Sequence, residues 1–480
     1  MKFWGLFGMR LTAQRGTSPL PHPTSQLGYA MGGRVGERAG AASKGTLPRV
    51  SRLKWLAGFA LLASAGSAAA QVQQSPHDTR VAARSHVQAV LDAYVAAKKV
   101  PGAVVALGQG DNPTIFLAAG RIADMPGAPI ADADTLWRVY SMTKPITALA
   151  AMILIDEGKL RLDQPVSDFI PAFKNMRVLV DPEHSLESRP AKSPILIRHL
   201  LTHTAGLGYD IITTGPLLKE YQRLGIQPEA FNLGLELSVR PKRPTTLADF
   251  ADRVASLPLI ADPGTKWSYS IGFDVMGRVI EVASGMKFDA FLQTRIFAPL
   301  GMRSSFFTVP QSEIGRLATN YLYLGTSRIA ADPGNASVFA APPSFPYGGA
   351  GLVMSARDYD RFLHLLQDEG TLDGVRIVRP ETARLMMSNL LPPGVDFAGV
   401  AAVAGAEAVS GGRMGFGAGG SVYLDGPRKG TYGWGGAAAT LGWVDPARRL
   451  RGTIMVNYIP ADHWPLRAEL LPAIAQDLLP

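Results

Sequence analysis

The order of patterns along the chain predicts an α+β fold, in which an antiparallel sheet flanked by helices carries an inserted helical domain. Residues 84–119 have the pattern of a helix and a β-hairpin, a long middle part is mostly helical, and the last hundred residues return to strands before a closing helix. A sheet built from both chain ends fits this order. We therefore predict a sheet domain from residues 80–140 and 345–480, and a mostly helical domain from 141–344.

The first part of the chain supplies the start of the sheet. Apolar residues recur at helical spacing in residues 84–97, and Pro101-Gly102 ends that pattern. Two apolar, partly β-branched runs follow at 103–107 and 114–119, on either side of a Gly-Asp-Asn-Pro sequence. Such a pair predicts a β-hairpin.

The remaining elements follow from periodicity and from helix-end signals. Helical spacing begins at Ser141, and Gly158 stands where a helix would end. Ser355 and Asp358 have the spacing of a capping box, which predicts a helix that Gly370 closes. Further helices are expected at 195–203, 246–256, 270–283, 287–297 and 465–478, and strands around 422–424, 440–444 and 452–458.

Charge and cysteine content exclude several classes of function. The 480 residues carry a net charge of +9, but residues 1–70 contain nine Lys/Arg and one acid, which leaves only +1 for the rest. A nearly neutral body argues against a nucleic-acid partner, which needs a clustered cationic surface. The chain has no cysteine, which excludes thiol catalysis, thiolate metal sites and disulfides.

Residues 1–70 are predicted to be a disordered leader that ends in a signal peptide. A basic flank precedes the short apolar run 55–63, and Ala68-Ala69-Ala70 supplies small residues for cleavage before Gln71. The apolar run is shorter than the roughly 20 residues that span a bilayer, although an uncleaved anchor is the alternative. We expect a periplasmic or secreted protein with no stable membrane insertion after cleavage.

The first candidate for catalysis is Ser141-Met142-Thr143-Lys144, an S-x-x-K motif. Residues three apart on a helix share a face, so Lys144 can lower the pKa of the Ser141 hydroxyl or accept its proton. The Ser141 N–H at the helix start could stabilise an oxyanion. The alternative is that Ser141 only caps the helix.

The motif occurs twice more, in contexts that do not suit a nucleophile. Ser51–Lys54 lies in the leader, and Ser284–Lys287 lies where Gly285 ends a helix, so that its two side chains would not share a face. Only the copy at 141–144 opens a helix directly after a strand-like stretch.

Two further segments supply candidate groups. Tyr269 follows a Pro263-Gly264 turn, at a junction where its phenol could enter a cleft beside a lysine and act as a general base. Trp434-Gly435-Gly436-Ala437 predicts a strand of mostly small side chains, which lets a substrate lie against the backbone and offers a second oxyanion donor. The alternative for Tyr269 is an aromatic residue that packs under a loop. The alternative for the Trp434 segment is a closely packed strand without a catalytic role.

Together these motifs resemble one family. The chain contains, in family order, Arg138 to Lys144, Leu201-Thr202-His203-Thr204-Ala205-Gly206-Leu207, Pro263 to Tyr269, Gly348-Gly349-Ala350-Gly351-Leu352 and Trp434-Gly435-Gly436. The set is similar to the class C β-lactamase-related proteins, and most closely to the family VIII carboxylesterases. The resemblance implies the β-lactamase/transpeptidase-like fold, Ser141 as nucleophile, and Lys144 and Tyr269 as the activating pair. It also implies an oxyanion hole made of the Ser141 and Ala437 N–H groups.

Two departures from the family favour an esterase. The resembling β-lactamases have Tyr-x-Asn where this chain has Tyr269-Ser270-Ile271, and Lys-Thr-Gly where it has Trp434-Gly435-Gly436. Trp434 offers no cation for a β-lactam carboxylate but suits an apolar ester, so Trp434, Gly435 and Gly436 are the expected substrate-binding residues. The sequence thus predicts a serine carboxylesterase that cleaves short-chain esters through an acyl-enzyme. The alternatives are a β-lactamase or D-alanyl-D-alanine carboxypeptidase, and a non-turnover penicillin-binding sensor.

We expect neither a metal nor an organic cofactor. His199 and His203 have a metal-like i, i+4 spacing on an expected helix, but no third ligand follows, which favours packing and hydrogen bonding. The Gly415-x-Gly417-x-x-Gly420 sequence leads into a strand, which is the wrong context for a dinucleotide fingerprint. No G-x-S-x-G sequence occurs, which counts against an α/β-hydrolase elbow.

Overall fold

The two ends of the chain form one seven-stranded antiparallel sheet. The computed structural model describes residues 85–397 and 412–478, so the leader predicted at 1–70 lies outside the described residues. The strand order is β12-β13-β14-β15-β16-β1-β2, in which the N-terminal hairpin pairs with the C-terminal strand β16. The strands are β1 Gly102–Gln109, β2 Ile115–Gly120, β12 Met414–Phe416, β13 Ser421–Tyr423, β14 Tyr432–Gly435, β15 Leu441–Asp445 and β16 Leu450–Met455.

Helices cover both faces of this sheet. One face packs against the first and last helices, and the apolar residues of these helices form a separate core cluster with it. The other face packs against the helix Ala356–Gln367 and the larger core. The α-helices are α1 His86–Ala96, α2 Thr143–Asp156, α3 Ile197–Leu201, α4 Gly215–Arg223, α5 Leu233–Val239, α6 Leu247–Ala255, α7 Gly272–Ser284, α8 Phe288–Leu292, α9 Ala356–Gln367, α10 Pro380–Met386 and α11 Leu466–Leu478.

Helix α2 forms the centre of the larger core. Its first twelve residues, from Thr143 to Leu154, are all buried, and all but Thr143, Lys144 and Thr147 are apolar. It packs against α7 and α10. This buried helix begins two residues after Ser141, so the predicted nucleophile stands on a rigid support.

The middle of the chain contains more strands than the sequence predicted. Two small three-stranded sheets, ordered β3-β9-β6 and β17-β7-β8, and the hairpins β4-β5 and β10-β11 occur there, and only β17 comes from the C-terminal part of the chain. These strands are mostly two to six residues long, too short to give a clear alternating pattern. They are β3 Leu136–Arg138, β4 Arg177–Leu179, β5 Ser188–Pro190, β6 Ser305–Phe306, β7 Asn320–Leu324, β8 Ser327–Asp332, β9 Val353–Ser355, β10 Thr371–Leu372, β11 Val375–Arg376 and β17 Tyr458–Ile459.

Local signals placed several element ends correctly. The side chain of Ser355 accepts a hydrogen bond from the Asp358 N–H at 3.1 Å, so the predicted cap of α9 is confirmed. Gly285 has a left-handed φ of 72° and ends α7, as expected from the sequence. Within residues 85–397 and 412–478, no helix is both long enough and apolar enough to cross a bilayer.

Candidate active site

Ser141 lies in a tight turn between a strand and the central helix. Strand β3 ends at Arg138, a 3₁₀ turn covers Tyr140–Met142, and α2 begins at Thr143. Tyr140 has a φ of 42°, a left-handed conformation that is costly for a non-glycine residue and persists only where neighbours hold it. Asn320 does so by donating to the Tyr140 hydroxyl at 3.1 Å. Tyr140 and Met142 are buried, while Ser141 keeps partial exposure.

The structure brings Ser141, Lys144 and Tyr269 together. Tyr269 donates a hydrogen bond to the Ser141 Oγ at 2.6 Å, and Lys144 Nζ donates to the same oxygen at 3.2 Å. Lys144 Nζ also lies 4.6 Å from the centroid of the Tyr269 ring. Each of the two candidate proton acceptors is thus within direct reach of the Ser141 hydroxyl.

Tyr269 is held by the loop before α7. The Ser268 N–H donates to the His203 carbonyl at 2.9 Å, and the Gly264 N–H donates to the Thr204 carbonyl at 2.8 Å. Gly264 has a φ of 81°, the left-handed region that its turn requires. These bonds connect the Pro263–Tyr269 segment to Thr202-His203-Thr204.

Asp274 is a buried acid beside Lys144 that the sequence analysis did not single out. The Gly349 N–H donates to its Oδ1 at 3.0 Å, and the Gly349 carbonyl accepts from Lys144 Nζ at 2.8 Å. A Cβ on Gly349 would lie 2.8 Å from Asp274 Oδ2 and 3.4 Å from Lys144 Nζ, so a larger residue here would displace the Asp274 carboxylate. Burial raises the pKa of Asp274 to about 7, against the opposing effect of the Lys144 charge and the Gly349 N–H.

The two predicted oxyanion donors lie on adjoining segments. A Cβ on Gly436 would sit 2.3 Å from the Val139 carbonyl oxygen, so the segment that carries Ala437 packs directly against the chain before Ser141. Within the described part of the chain, neither the Ser141 N–H nor the Ala437 N–H donates to a protein acceptor. Both therefore have the free donor that an oxyanion needs.

The segment after Trp434 is a turn, which corrects the strand predicted through Ala437. Strand β14 ends at Gly435, and the Gly436 N–H donates to the Thr440 carbonyl at 2.8 Å. Ala439 takes a left-handed φ of 66°, which reverses the chain into β15. The small residues serve a tight reversal, where large side chains would clash, instead of an extended strand.

Trp434 stands beside Tyr269 within a group of aromatic rings. Its ring centroid lies 6.0 Å from that of Tyr269 and 5.1 Å from that of Phe416, and Phe397 and Trp267 continue the group. Its side chain is only 7% exposed. Trp434 therefore presents an apolar surface to Tyr269, at the position where the resembling β-lactamases have a lysine.

The expected placement of His199 and His203 on one helix is wrong. Helix α3 ends at Leu201, and His203 lies beyond it with a left-handed φ of 56°. His199 Nδ1 accepts from the Leu196 N–H and His203 Nδ1 accepts from the Ser270 N–H, each at 3.1 Å. Burial lowers the pKa of His203 well below its usual value, with the Lys144 charge acting in the same direction. His203 is thus a neutral packing residue whose ring lies 4.7 Å from the Tyr269 ring.

One other group of potential metal ligands exists among the described residues. Asp111, His364 and Asp368 place their ligand atoms within 4.8 Å of one another, at the turn of the first hairpin and the end of α9. Arg449 donates to Asp111 at 2.6 Å and to Asp368 at 3.0 Å, so its guanidinium already compensates both carboxylates. The group is best described as an arginine-bridged acid pair.

Comparison with known proteins assigns the fold and the family. The beta-lactamase family model matches residues 87–475. The chain belongs to the beta-lactamase family. Among solved structures, "EstCE1, a hydrolase with promiscuous acyltransferase activity", is 26% identical with a TM-score of 0.66, over 83% of this chain and 99% of that chain.

Sequence relatives of this beta-lactamase family member include proteins from two bacteria. An uncharacterized protein of Mycobacterium tuberculosis is 35% identical over 340 residues, which cover 68% of this chain and 78% of that protein. Esterase EstB of Burkholderia gladioli is 33% identical over 298 residues, which cover 59% of this chain and 70% of the esterase. The resemblance to β-lactamase-related serine hydrolases, the relation to family VIII esterases and the predicted fold are confirmed.

Proposed function

We propose that the protein is a serine carboxylesterase that cleaves short-chain esters through an acyl-enzyme on Ser141. The observation that carries this proposal is the contact of the Ser141 Oγ with both the Tyr269 hydroxyl and Lys144 Nζ. A serine hydroxyl is a weak nucleophile unless an adjacent base or cation activates it, and here both are in reach. The names of the relatives, an esterase and a hydrolase with acyltransferase activity, support the same class of reaction.

The proposed reaction has two acyl-transfer steps. Ser141 Oγ attacks the ester carbonyl carbon while its proton passes to the Tyr269–Lys144 pair, and the Ser141 and Ala437 N–H groups stabilise the oxyanion. The tetrahedral intermediate then expels the alcohol, which takes that proton. Water attacks the acyl-enzyme, gives a proton to the same pair, and releases the acid with the Ser141 hydroxyl restored.

The preference for uncharged esters rests on Trp434. Its indole adds apolar surface next to Tyr269, where an acyl or alkyl chain gains contact. A β-lactam carries a carboxylate, and at this position the residue that would pair with it is absent. We therefore prefer the esterase over a β-lactamase or D-alanyl-D-alanine carboxypeptidase, and the presence of Tyr269 beside Ser141 favours turnover over a sensor that stays acylated.

A second candidate activity is acyl transfer to an alcohol. An acyl-enzyme partitions between water and any bound hydroxyl, and EstCE1 carries both activities in its description. The buried aromatic group around Trp434 would favour an apolar acceptor over water. Butanol added to an ester assay should then yield butyl ester. A product mixture of free acid alone would reject this second activity.

The nucleophile is tested by replacing two serines. Ser141→Ala should abolish hydrolysis of p-nitrophenyl butyrate, whereas Ser284→Ala serves as the matched control, since Ser284 also lies in an S-x-x-K sequence. Ser284 Oγ donates to the Ile280 carbonyl at 2.6 Å in α7, away from the proposed catalytic group. Turnover by Ser141→Ala at the wild-type rate would remove the mechanism.

We also propose export of the protein to the periplasm or the medium. The proposal rests on the basic flank, the short apolar run and Ala68-Ala69-Ala70 in the leader. N-terminal sequencing of the native protein should find a start near Gln71. Recovery of intact protein from the cytosol would contradict export without affecting the proposed chemistry.

A further inference from the structure

The side chain of Arg467 holds three carbonyls of the turn that follows Trp434. Arg467 is the second residue of α11. Its Nη2 donates to the Gly436 and Thr440 carbonyls, each at 2.7 Å, and its Nε donates to the Ala439 carbonyl at 3.1 Å. Bonds from a charged guanidinium are roughly twice as strong as neutral ones, and its planar fork fixes their geometry. One side chain from the C-terminal helix therefore holds both ends of the turn, while the Ala438 carbonyl between them accepts from the Tyr458 N–H.

The conformation of this turn depends on stabilising contacts from outside the turn. Ala439 stands in the left-handed region, a conformation that costs on the order of 1–3 kcal/mol in a residue with a side chain. Gly436 has no room for a Cβ, which would sit 2.2 Å from the Thr440 hydroxyl. The Gly436 N–H closes the turn by donating to the Thr440 carbonyl, and the Tyr458 N–H donates to the Ala438 carbonyl at 3.3 Å, but neither bond involves the Gly436–Ala437 peptide group.

The Gly436 carbonyl and the Ala437 N–H belong to the same peptide group. Since a trans peptide is planar, its C=O and N–H point in opposite directions. Fixing the oxygen of this group on Arg467 therefore also fixes the direction of the Ala437 N–H. A charged donor on the oxygen further polarises the group, and hydrogen bonds in such a chain strengthen one another.

We propose that Arg467 is a positioning residue for the oxyanion hole, which orients and polarises the Gly436–Ala437 peptide. The inference rests on the proposed function, because the Ala437 N–H matters only if an oxyanion forms on a Ser141 adduct. Arg467 touches no reacting atom, so it acts only through Ala437. We predict that loss of Arg467 lowers kcat, because negative charge develops on the oxyanion in the transition state, and that it leaves KM almost unchanged.

A purely structural role for Arg467 is separable from this one. Helix α11 has other anchors, since the Asp477 carboxylate accepts from the His86 and Val87 N–H groups at 3.0 Å, and Leu466 and Leu470 are fully buried. Without Arg467, α11 therefore still has its bonds to α1 and its place in the core cluster that it shares with the sheet. The matched control is Arg253, which also holds two carbonyls, those of Leu224 and Lys242 at 2.8 Å, in a different part of the fold.

The test compares Arg467→Met, Arg467→Lys and Arg253→Met with the wild type on uncharged p-nitrophenyl butyrate. Removing one oxyanion donor costs about 10²–10³ in kcat, so a donor that is only loosened should cost about 10- to 100-fold. We expect that loss for Arg467→Met with KM within about threefold, a partial recovery in Arg467→Lys, and no such loss in Arg253→Met. Near-UV circular dichroism identifies any variant that fails to fold. If Arg467→Met fails to fold, the kcat of Arg467→Lys is compared with that of the wild type instead.

A boronic acid provides the second readout, because its tetrahedral adduct on Ser141 places an oxygen in the oxyanion hole. Calorimetric affinity for butylboronic acid should fall in Arg467→Met by about the same factor as kcat, and it is measurable even if no ester is turned over. Unchanged boronate affinity and unchanged kcat in a folded Arg467→Met would overturn the role of Arg467 alone. A wild type that binds boronate but hydrolyses no ester would overturn the proposed function alone.

Discussion

The Tyr269 hydroxyl lies 2.6 Å from the Ser141 Oγ, although 128 residues separate the two along the chain. Lys144 Nζ lies 3.2 Å from the same Oγ and 4.6 Å from the Tyr269 ring. The serine hydroxyl therefore contacts a phenol and an ammonium at once, and the ammonium also lies against the phenol ring. The three groups are thus in mutual contact, which is the arrangement expected if Lys144 and Tyr269 act together on the Ser141 hydroxyl.

The joint action of Lys144 and Tyr269 gives the first prediction. Lys144→Ala and Tyr269→Phe should each lower kcat/KM for p-nitrophenyl butyrate by on the order of a hundredfold or more, as lost acid–base groups do. The double variant should lose far less than the product of the two factors, because each group works through the other. Fully multiplicative losses would show that the two residues act independently.

Trp434 gives a prediction that separates esters from β-lactams. A charge-assisted hydrogen bond to the β-lactam carboxylate contributes about 1.5–3 kcal/mol, so its absence implies roughly 10- to 100-fold poorer capture. We expect kcat/KM for p-nitrophenyl butyrate to exceed that for nitrocefin, and Trp434→Lys to lower the first and raise the second. Arg428 is a cation on the turn that precedes β14, and its guanidinium donates to the Tyr423 hydroxyl at 3.2 Å. A wild type that prefers nitrocefin would refute the esterase assignment.

Asp274 gives a prediction about pH and stability. Its folded pKa of about 7 lies above its ordinary value of 3.8, so between these values the folded state keeps a proton that the unfolded state loses. The stabilisation that Asp274 gives to the folded state is thus fully present below about pH 4 and is lost as the pH rises to about 7. The resulting decrease in the free energy of unfolding is at most about 4 kcal/mol.

The Asp274→Asn variant removes this titration and keeps an acceptor for the Gly349 N–H. Urea unfolding should show the wild type losing stability relative to Asp274→Asn between pH 5 and pH 8. The histidines titrate in both proteins and cancel in this difference. Asp134→Asn is the control, since the Arg357 hydrogen bond lowers the Asp134 pKa and gives no loss in this window. A difference independent of pH would contradict the raised pKa.

Local signals in the sequence were sufficient for much of the fold and for the residues of the candidate catalytic group. The hairpin at Gly102–Gly120 followed from two apolar runs and a turn, and the cap of α9 followed from Ser355. Ser141, Lys144 and Tyr269 were found because each lies in a short motif of fixed local geometry. Their meeting, in contrast, depends on the packing of α7 against α2, which periodicity alone does not specify.

The features that the sequence did not predict depend on distant partners. Asp274 looks like an ordinary residue in the first turn of α7, and only its burial against Gly349 makes it unusual. The turn after Trp434 was predicted as a strand, because the left-handed φ of Ala439 has no signal in a run of alanines. Arg467, which holds this turn, lies about thirty residues further along the chain.

The central claim is that Ser141 forms the covalent acyl-enzyme, and active-site labelling tests it most directly. A fluorophosphonate should add one label to the folded protein, and mass spectrometry after trypsin should find it on Ser141, in the peptide from Val139 to Lys159 that Pro145 keeps intact at Lys144. Ser141→Ala should take up no label, and Ser284→Ala should label at the wild-type rate. Label on any other residue, or equal labelling of Ser141→Ala, would contradict the account.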